Sequence, residues 1–394
     1  MHLLFALFLQ DEFAARWSES TARAAEFLVK AQGDDGLWSR EFQGRRWPSL
    51  ALSALALDAL VRMPAALREK HKDAIARSVE ALAKRQSAED GGWAEPPGQL
   101  RAYVTSIAIM ALQAHDAAAN RERIARGRKF LAELQVKEGF WAGGYEELEY
   151  EMVEGKMQPK RLKTGNLSSV EVAAQAMRET GYDDSEYWKR IADFAGKCQN
   201  SPETNTDPEW VKALESRGFK MGGGFVYKPD LDTVENYGGY TVDSGDGKKV
   251  LNGYGSMSYA GLKTYLFAGL RKDDPRVLAA VRWLRENYTL ERHPGFPFES
   301  DRPAGERKDR QGLFYYYLAM ARALDAWGEN PFETGDGVRH DWPREMARQL
   351  ISLQRGSGAW FNDQPRWWEG DELLVTAYAL KVYSILARHL ASDR

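Results

Sequence analysis

The chain has 394 residues, a formal net charge of −3 and a hydrophobic fraction of 43%. Because it lacks a strongly basic field, no nucleic-acid partner is expected. The single cysteine, Cys198, excludes an internal disulfide and a zinc site made of several cysteines. Aromatic residues make up 12% of the chain, including 13 tryptophans. This is more than plain helix pairs need to fill a core, so part of the aromatic surface is expected to line a cavity.

The N-terminal segment, residues 1–22, contains an apolar run from Leu3 to Leu9 that polar residues follow at once. The apolar run is typical of a signal peptide, but a basic start and a small-residue cleavage site are both missing. The alternative is an N-terminal extension that packs on the body of the protein. An exported and a cytoplasmic location stay equally open. No other run reaches the ~20 apolar residues of a membrane span, so no transmembrane span is expected.

An amphipathic helix followed by Gln, Gly and Trp recurs along the chain. The clearest copy is 342–360, where an apolar stripe ends at Gln354, and Gly356 and Gly358 lead to Trp360. Three further strong copies and two weaker ones are centred on Gln32 with Trp38, Gln86 with Trp93, Gln135 with Trp141, Gln199, and Asn287 in place of Gln. Key positions roughly 50–90 residues apart indicate a repeat architecture.

Each copy is followed by a segment that is apolar on nearly every side. These segments are Ser49–Val61, Tyr103–Gln113, Leu167–Met177, Ser256–Leu270, Gly312–Trp327 and Leu373–Ala387. A helix without a wet face must be surrounded by protein. The alternation therefore predicts an all-α fold, an (α/α)6 toroid over residues 23–390, in which an inner ring of helices is enclosed by an outer ring. A loop insertion is predicted at about 197–253, and Glu146–Lys163 is predicted to be a solvated insertion.

The Gln, Gly, Trp turns resemble the QW-type repeats of the squalene and oxidosqualene cyclases and of the related β subunits of protein prenyltransferases. The resemblance covers roughly Phe27 to Leu386. It implies a toroid with an apolar, aromatic-lined cavity at one end that holds an isoprenoid or another apolar small molecule. The same toroid also carries complement-like thioester domains and cobalamin carriers, so the fold alone does not give the activity.

The catalytic motifs of these families are missing from the sequence. A class II cyclase protonates an alkene with an Asp-x-Asp-Asp motif, and the nearest match here is Asp230 and Asp232 with Glu235 close by. These three are the catalytic candidates, and the alternative is that they are solvated loop carboxylates. Prenyltransferases need Asp, Cys and His ligands for zinc, and Cys198 lacks such neighbours in sequence. We therefore expect no metal and no cofactor.

Two groups of residues are predicted to bind a ligand. The first is Arg307, Lys308 and Arg310, which precede an inner helix whose N-terminus favours an anion such as a diphosphate; a basic loop facing water is the alternative. The second comprises hydroxyl-bearing residues expected at one mouth of the barrel: Thr105, Ser169, Tyr254, Ser258, Tyr315, Tyr316, Tyr317, Thr376 and Tyr378. They suit a mostly apolar ligand with a polar end, although buried hydroxyls also bond back to their own helices.

Two functions remain open at this stage. One is an enzyme that acts on an isoprenoid, either a terpene cyclase-like isomerase or a prenyltransferase-like transferase. The other is a noncatalytic toroid that binds a lipid or a protein partner. Asp230, Asp232 or Glu235 pointing into an aromatic cavity beside the tyrosine cluster would favour the enzyme. If these carboxylates lie in solvent and side chains fill the barrel centre, the binding protein is favoured.

Overall fold

The computed structural model describes residues 2–42, 45–96, 98–153, 156–201, 212, 222–229, 241–243, 249–251, 253–298 and 301–391. Its α-helices, in chain order, are α1 (His2–Lys30), α2 (Leu50–Val61), α3 (Ala65–Lys70), α4 (Lys72–Ala83), α5 (Arg101–Asp116), α6 (Arg121–Leu134), α7 (Leu167–Glu179), α8 (Ser185–Lys197), α9 (Gly255–Phe267), α10 (Pro275–Glu286), α11 (Leu313–Trp327), α12 (Trp342–Leu353) and α13 (Glu372–Ala391).

The helices form two concentric rings. In the inner ring, α2 contacts α5, and the contacts continue through α7, α9 and α11 to α13, which returns to α2 and closes the circle. The outer helices pack against this ring: α4 on α2, α6 on α5, α8 on α7 and α9, α10 on α9, α12 on α13, and α1 on both α12 and α13. The predicted all-α toroid is confirmed, and each apolar segment is an inner helix because the outer ring covers the side that would otherwise face water.

Helix α13 shows how such a segment can mimic a membrane span. Among the described residues, Glu372–Leu390 is the one stretch long and apolar enough to cross a membrane by length and composition. Its most apolar window is 61% buried inside the protein, and the helix belongs to the inner ring. Trp17 of α1 lies 3.9 Å from Tyr383 of α13 between ring centroids, and Ser20 Oγ lies 2.8 Å from the Tyr383 hydroxyl.

Short antiparallel β-hairpins connect some of the helices. They pair β1 (Trp38–Phe42) with β2 (Arg45–Ser49), β3 (Glu146–Val153) with β4 (Lys156–Lys163), β5 (Thr241–Asp243) with β6 (Lys249–Leu251), and β7 (Phe332–Glu333) with β8 (Arg339–His340). The segment predicted as a solvated insertion is therefore the ordered hairpin β3–β4. Acidic residues on β3 face basic residues on β4, as in the pairs Glu146 with Lys163 and Glu149 with Lys160, and opposite charges across a ladder are stabilising.

The corners between outer and inner helices are held by three kinds of hydrogen bond, and the second corner shows all of them. The Trp93 indole Nε1 donates to Leu82 O in the preceding outer helix at 2.8 Å. Gln86 Nε2 donates to Arg123 O in the next outer helix at 3.0 Å. The backbone N–H of Trp93 donates to Thr105 Oγ1 of the inner helix α5 at 2.8 Å. One corner therefore joins three helices.

The same bonds recur at other corners. The indole Nε1 of Trp38 donates to Leu28 O and that of Trp360 donates to Leu350 O, both in the preceding outer helix. The side-chain amides of three glutamines donate to carbonyls of the next outer helix: Gln32 to Ala74 O, Gln199 to Arg276 O and Gln354 to Ser20 O. The last of these joins α12 to α1, so the repeat that begins the chain is tied to the repeat that ends it.

Two corners depart from the predicted pattern. In the third, Tyr145 rather than Trp141 occupies the corner: Tyr145 is 1% exposed and pairs with Gln135 through a β-bridge, whereas Trp141 is half-buried. The turn needs Gly143, whose φ is +93°, because a Cβ there would lie 2.0 Å from Arg190 O. In the fifth, Asn287 does not replace the glutamine, because its Nδ2 donates to Trp283 O of its own helix.

We predict that Thr105→Val destabilises the protein by about 2 kcal/mol. The substitution keeps the side-chain volume but leaves the buried Trp93 N–H without an acceptor, and an orphaned buried donor costs about 1–3 kcal/mol. The matched control is Thr264→Val, because the Thr264 hydroxyl is also buried but only donates to Ala260 O of its own helix. Urea unfolding should give a clearly smaller cost for the control; equal costs would contradict the corner role.

Candidate functional site

A cavity of about 710 Å³ lies at one mouth of the barrel, where α5 and α7 begin and the hairpins β1–β2 and β3–β4 stand over them. We call it the mouth cavity. Its aromatic walls are Trp47, Tyr103, Tyr145 and Trp368, and its charged groups are Arg40, Glu41, Glu95, Arg101, Glu146, Glu147 and Glu149. The first turns of inner helices thus line a mouth, and Ser169 among the predicted hydroxyl residues takes part in the lining.

The charges around the mouth cavity leave it acidic. Its two cations have carboxylate partners outside the lining: Arg40 pairs with Asp371 at 3.4 Å, and Arg101 pairs with Asp90. Of the carboxylates, Glu95 accepts the Ala51 N–H at 2.8 Å at the start of α2. Glu146 also pairs with Arg161 of β4 at 3.6 Å, and Arg40 Nη2 is buried without a hydrogen-bond partner among the described residues. The lining itself still holds five carboxylates against two guanidinium groups, so most of its charged groups accept hydrogen bonds.

Glu147 is the carboxyl group of the cavity with the most distinctive environment. Burial raises its pKa, and Lys228 opposes that shift. Asn166 Nδ2 donates to Glu147 Oε1 at 2.9 Å, while Asn166 Oδ1 accepts the Ser169 N–H at 2.8 Å and caps α7. The carboxyl group is therefore fixed in orientation by a residue that is itself fixed by a helix N-terminus.

The centre of the inner ring is filled by ionic side chains, which we call the axial network. Its members are Asp58, Arg62, Glu171, Gln175, Glu179, Lys263, Arg322 and Lys381. Arg62 lies 2.7 Å from Asp58 and 2.6 Å from Glu179, Lys381 pairs with Asp58, and Lys263 pairs with Glu171. The middle of the ring is thus polar, not the apolar space that the family resemblance implies.

Asp58 shows what the network does to a buried charge. It is 0% exposed. Burial pushes its pKa upward, but the charges of Lys381 and Arg62 overcome this and lower the pKa to about 2. The carboxylate therefore stays ionised at neutral pH, and it does so because both cations stabilise its charged form.

Among the predicted tyrosines, Tyr315 faces the ring axis and the next two do not. The Tyr315 hydroxyl lies 2.9 Å from Ser168 Oγ and donates to Glu171 Oε1 at 3.2 Å. Its ring packs 5.9 Å from Tyr378, whose hydroxyl is within reach of the Tyr103 hydroxyl in the wall of the mouth cavity. Tyr103, Tyr378 and Tyr315 therefore separate the mouth cavity from the axial network.

Five other predicted ligand-binding residues lie in the packed interior. Tyr316 and Tyr317 point away from the axis and donate to Thr289 O and Leu290 O. Tyr254 packs against the rings of His293 and Phe296. Ser258 and Thr376 serve corners, since their hydroxyls accept the N–H groups of Phe225 and Trp360. These five side chains, fully or nearly fully buried, do not line the mouth cavity, because the helical packing has already used their polar atoms.

The predicted basic site also has internal partners. Arg307 makes a two-point ion pair with Asp309 at 2.7 and 3.0 Å, and Asp309 is fully buried. Lys308 and Arg310 belong to the 3₁₀ turn Lys308–Arg310. The three basic residues lie outside the lining of the mouth cavity.

Glu369 occupies the helix N-terminus at which an anion was predicted. Its carboxylate oxygens accept the N–H groups of Phe314 and Tyr315 at 3.2 and 2.7 Å and Asn362 Nδ2 at 2.6 Å. Burial raises the pKa of Glu369 to about 7, although these donors act in the opposite direction. The predicted anion is thus supplied by the chain itself, so α11 offers no free N-terminus for a diphosphate.

The remaining predicted catalytic residues, Asp230, Asp232 and Glu235, lie outside the described residues. Within the described ranges, no group of three or more His, Cys, Asp or Glu side chains could hold a metal ion. Cys198 is fully buried, and burial raises the pKa of its thiol.

Sequence reasoning missed the carboxylates of β3 and the axial network. The segment 146–153 alternates between two faces in EELEYEMV, which is the period of a strand, and a basic segment of equal length follows it. The network also had a signal, because single charged residues interrupt the apolar helices at Asp58, Glu171, Lys263, Arg322 and Lys381. A lone charge in an apolar helix must find a partner.

Comparison with known proteins agrees with this architecture. The family model of the squalene-hopene cyclase C-terminal domain matches residues 9–153. No curated protein sequence matches the chain. Among solved structures, the apo type II terpene cyclase MstE from Scytonema has a TM-score of 0.54 at 15% identity, over 95% of this chain and 99% of that chain.

Two further MstE structures contain ligands. A variant in complex with its substrate geranylgeranyl dihydroxybenzoate has a TM-score of 0.55 at 17% identity, over 97% of this chain and 99% of that one. A variant in complex with its product merosterolic acid A has a TM-score of 0.55 at 16% identity, over 96% and 99%. At such identities the likeness establishes the fold, an α/α toroid shared with these type II terpene cyclases, and the family model matches the N-terminal part of this chain.

Proposed function

We propose that the protein binds an amphipathic small molecule, with an isoprenoid-like apolar part and a hydrogen-bond-donating head, in the mouth cavity. The observation that carries this proposal is the division of the barrel: side chains of the axial network fill its centre, while a cavity of about 710 Å³ opens at its mouth. A molecule of isoprenoid size therefore has room at the mouth and not along the axis.

The apolar part of the ligand would rest on exposed hydrophobic side chains at the rim. Trp47 and Trp368 are each 57% exposed and Leu100 is 55% exposed, and all three line the cavity. Large apolar side chains grouped at a concave surface are typical of ligand sites. Arg40 lies over the Trp368 ring at 4.2 Å and holds one side of it.

The head of the ligand would face the carboxylates. Hydroxyl groups on the ligand can donate to Glu41, Glu146 and Glu149, because carboxylates outnumber cations in the lining. Of these three, Glu146 also pairs with Arg161, which lies outside the lining. The substrate named for MstE combines a geranylgeranyl chain with a dihydroxybenzoate. Its chain and hydroxyl groups match the two parts proposed here, and its benzoate group would need a donor such as Arg40 Nη2, which has no hydrogen-bond partner in the part of the chain that the structure describes. An apolar chain with a hydroxylated ring is therefore the first probe to use.

Binding of geranylgeranyl dihydroxybenzoate should quench tryptophan fluorescence, and Trp368→Ala should weaken the binding about tenfold, which corresponds to about 1.4 kcal/mol. The matched control is Phe298→Ala, because Phe298 is 61% exposed but does not line the cavity. Mass spectrometry of molecules that copurify with the protein gives an independent check. Absence of binding to the native protein, or equal losses in both variants, would exclude the mouth cavity as the ligand site.

One observation favours a second function, acid-initiated chemistry on the bound ligand. Glu147 is the carboxyl group in the cavity whose pKa burial raises, and a group that keeps its proton to higher pH can donate it. If Glu147 acts as the acid, Glu147→Gln should abolish product formation while binding is retained. Glu149→Gln, an exposed carboxylate of the same strand and cavity, should leave turnover within about threefold. Unchanged ligand after incubation with native protein would leave the binding function alone.

A further inference from the structure

A second, smaller cavity lies at the opposite end of the inner ring. It has a volume of about 90 Å³ and is lined from the C-terminal halves of α7, α9, α11 and α13 and by Arg62, which follows α2. We call it the axial cavity. Lys263, Arg322 and Lys381 reach it from three different helices, and Ser384 completes one wall. No part of it coincides with the lining of the mouth cavity.

The side chains around the axial cavity do not balance in charge. The axial network contains four cations, Arg62, Lys263, Arg322 and Lys381, and three carboxylates, Asp58, Glu171 and Glu179, which leaves one positive charge in excess. The two other ionic groups of the lining, Arg388 and Asp325, pair with each other. A buried excess charge is costly unless another charge compensates it.

Arg322 carries the uncompensated charge. It is 6% exposed and lines the axial cavity. Its guanidinium lies 3.8 Å from Glu171, beyond hydrogen-bonding distance. Both Glu171 oxygens already accept hydrogen bonds, from Lys263 and from Tyr315. Across the ranges that the structure describes, Arg322 makes no hydrogen bond, although a guanidinium offers five donors.

The ends of the inner helices do not remove this excess. Helix C-termini carry partial negative charge, but the effect falls off within the last turn. Arg322 lies five residues before the end of α11 and Lys381 ten before the end of α13. Side chains in a helix also lean toward its N-terminus, which takes both cationic groups farther from the ends. A bound anion is the simplest remaining source of negative charge.

We propose that the axial cavity binds one small oxyanion, a phosphate or a carboxylate, with Arg322 as its main hydrogen-bond donor and Lys263 and Lys381 beside it. The volume limits the class of ligand, since water occupies about 30 Å³ per molecule in the liquid. The cavity therefore has room for an ion of a few heavy atoms. Guanidinium groups match the planar or tetrahedral oxygens of such ions better than ammonium groups do.

The test is a series of thermal unfolding curves of the full chain at constant ionic strength, in which inorganic phosphate or acetate replaces chloride. Binding to the folded state should raise Tm in proportion to the logarithm of anion concentration, and the anion with the larger effect identifies the class. Isothermal titration with the same anion should give at least tenfold weaker binding for Arg322→Met. Arg355→Gln removes an exposed guanidinium that follows α12 and should bind as the native protein does.

A second variant keeps the proposal testable if Arg322→Met does not fold. Ser384→Asp places a carboxylate in the wall of the axial cavity, so it should raise Tm in chloride and abolish the response to added anion. Native protein whose Tm responds to neither phosphate nor acetate would overturn the proposal. So would a response that Ser384→Asp retains in full. Neither result depends on whether the mouth cavity binds a ligand.

Discussion

Replacing Lys381 with methionine should lower the free energy of unfolding by about 3 kcal/mol or more. Lys381 is 3% exposed and its ammonium group pairs with Asp58, which is 0% exposed. Removing one partner leaves a buried carboxylate whose remaining cation is Arg62, and breaking a buried pair in this way typically costs about 3–5 kcal/mol. Methionine preserves the length and most of the volume of the lysine side chain, so little of the loss would come from a cavity. Urea unfolding at pH 7 measures it.

Two further variants separate the charge effect from general damage. Asp58→Asn combined with Lys381→Met removes both buried charges, and this double variant should be more stable than Lys381→Met alone, since contacting residues are not additive. Lys72→Met breaks a surface pair with Glu69, in which the side chains are 64% and 72% exposed, and should cost less than about 1 kcal/mol. A double variant that is no more stable than the single one would contradict the electrostatic explanation.

The rings could be predicted from sequence because their determinants are local. A corner such as 86–93 needs a glutamine, a glycine with positive φ and a large aromatic residue within a few positions, and that combination is visible as a motif. The third corner shows the limit of the motif. Gly139 and Gly143 both have positive φ, and they stand two positions before Trp141 and Tyr145. Only Gly143 of these two packs against the next outer helix, since a Cβ there would lie 2.0 Å from Arg190 O whereas one at Gly139 would meet nothing within 4 Å. The glycine that packs against the next outer helix therefore sets the position of the corner residue, and the spacing from the glutamine does not.

The interior could not be predicted as well, because its determinants are pairs of residues far apart in sequence. Asp58 and Lys381 are separated by 323 positions, and Lys263 and Glu171 by 92. Each one, seen alone in an apolar helix, has no visible partner. Ring closure brings α2 beside α13, and the packing of successive inner helices brings α7 beside α9. The same holds for Glu369, which reaches the first turn of α11 from a loop more than 50 residues later.

The mouth cavity was missed for a related reason. Its acidic wall, β3, belongs to the segment Glu146–Lys163, whose acidic residues followed by basic ones predict a solvated insertion. The hairpin β3–β4 is nevertheless ordered, with eight paired positions from Glu146 with Lys163 to Val153 with Lys156. A charged strand can stand over a cavity when its cross-strand partners are of opposite sign. Composition alone therefore separates core from surface but does not separate a solvated surface from a binding wall.

Lowering the pH from 6.5 toward 3.5 should cost the native protein about 4 kcal/mol of stability through His293 alone. The imidazole is fully buried; its Nε2 accepts the Ser256 N–H at 2.8 Å and its Nδ1 donates to Gln311 O at 2.7 Å. These two bonds fix the neutral ring, because a proton on Nε2 would face another N–H. Burial lowers the pKa of His293 to about 3, and the bond to Gln311 opposes this only in part.

The sign follows from proton uptake. The unfolded chain protonates this histidine near pH 6.5, whereas the folded protein does so only near pH 3, so the unfolded state binds more protons throughout that interval and each pH unit removes about 1.4 kcal/mol. Asp58 adds a further loss of folding stability below about pH 4, because its pKa is lower in the folded protein than in the unfolded chain, which therefore binds the proton more readily. Glu369, whose pKa burial raises to about 7, acts with the opposite sign between about pH 7 and 4.5, in native protein and variants alike. Comparing variants therefore isolates the histidine: His293→Gln, which can still accept from Ser256, should change the pH slope of the urea-unfolding free energy by about 1.4 kcal/mol per pH unit relative to native protein between pH 6.5 and 4. His115→Gln changes an exposed histidine at the end of α5 and should keep the native slope, whereas equal slopes for native protein and His293→Gln would show that the buried ring does not govern acid stability.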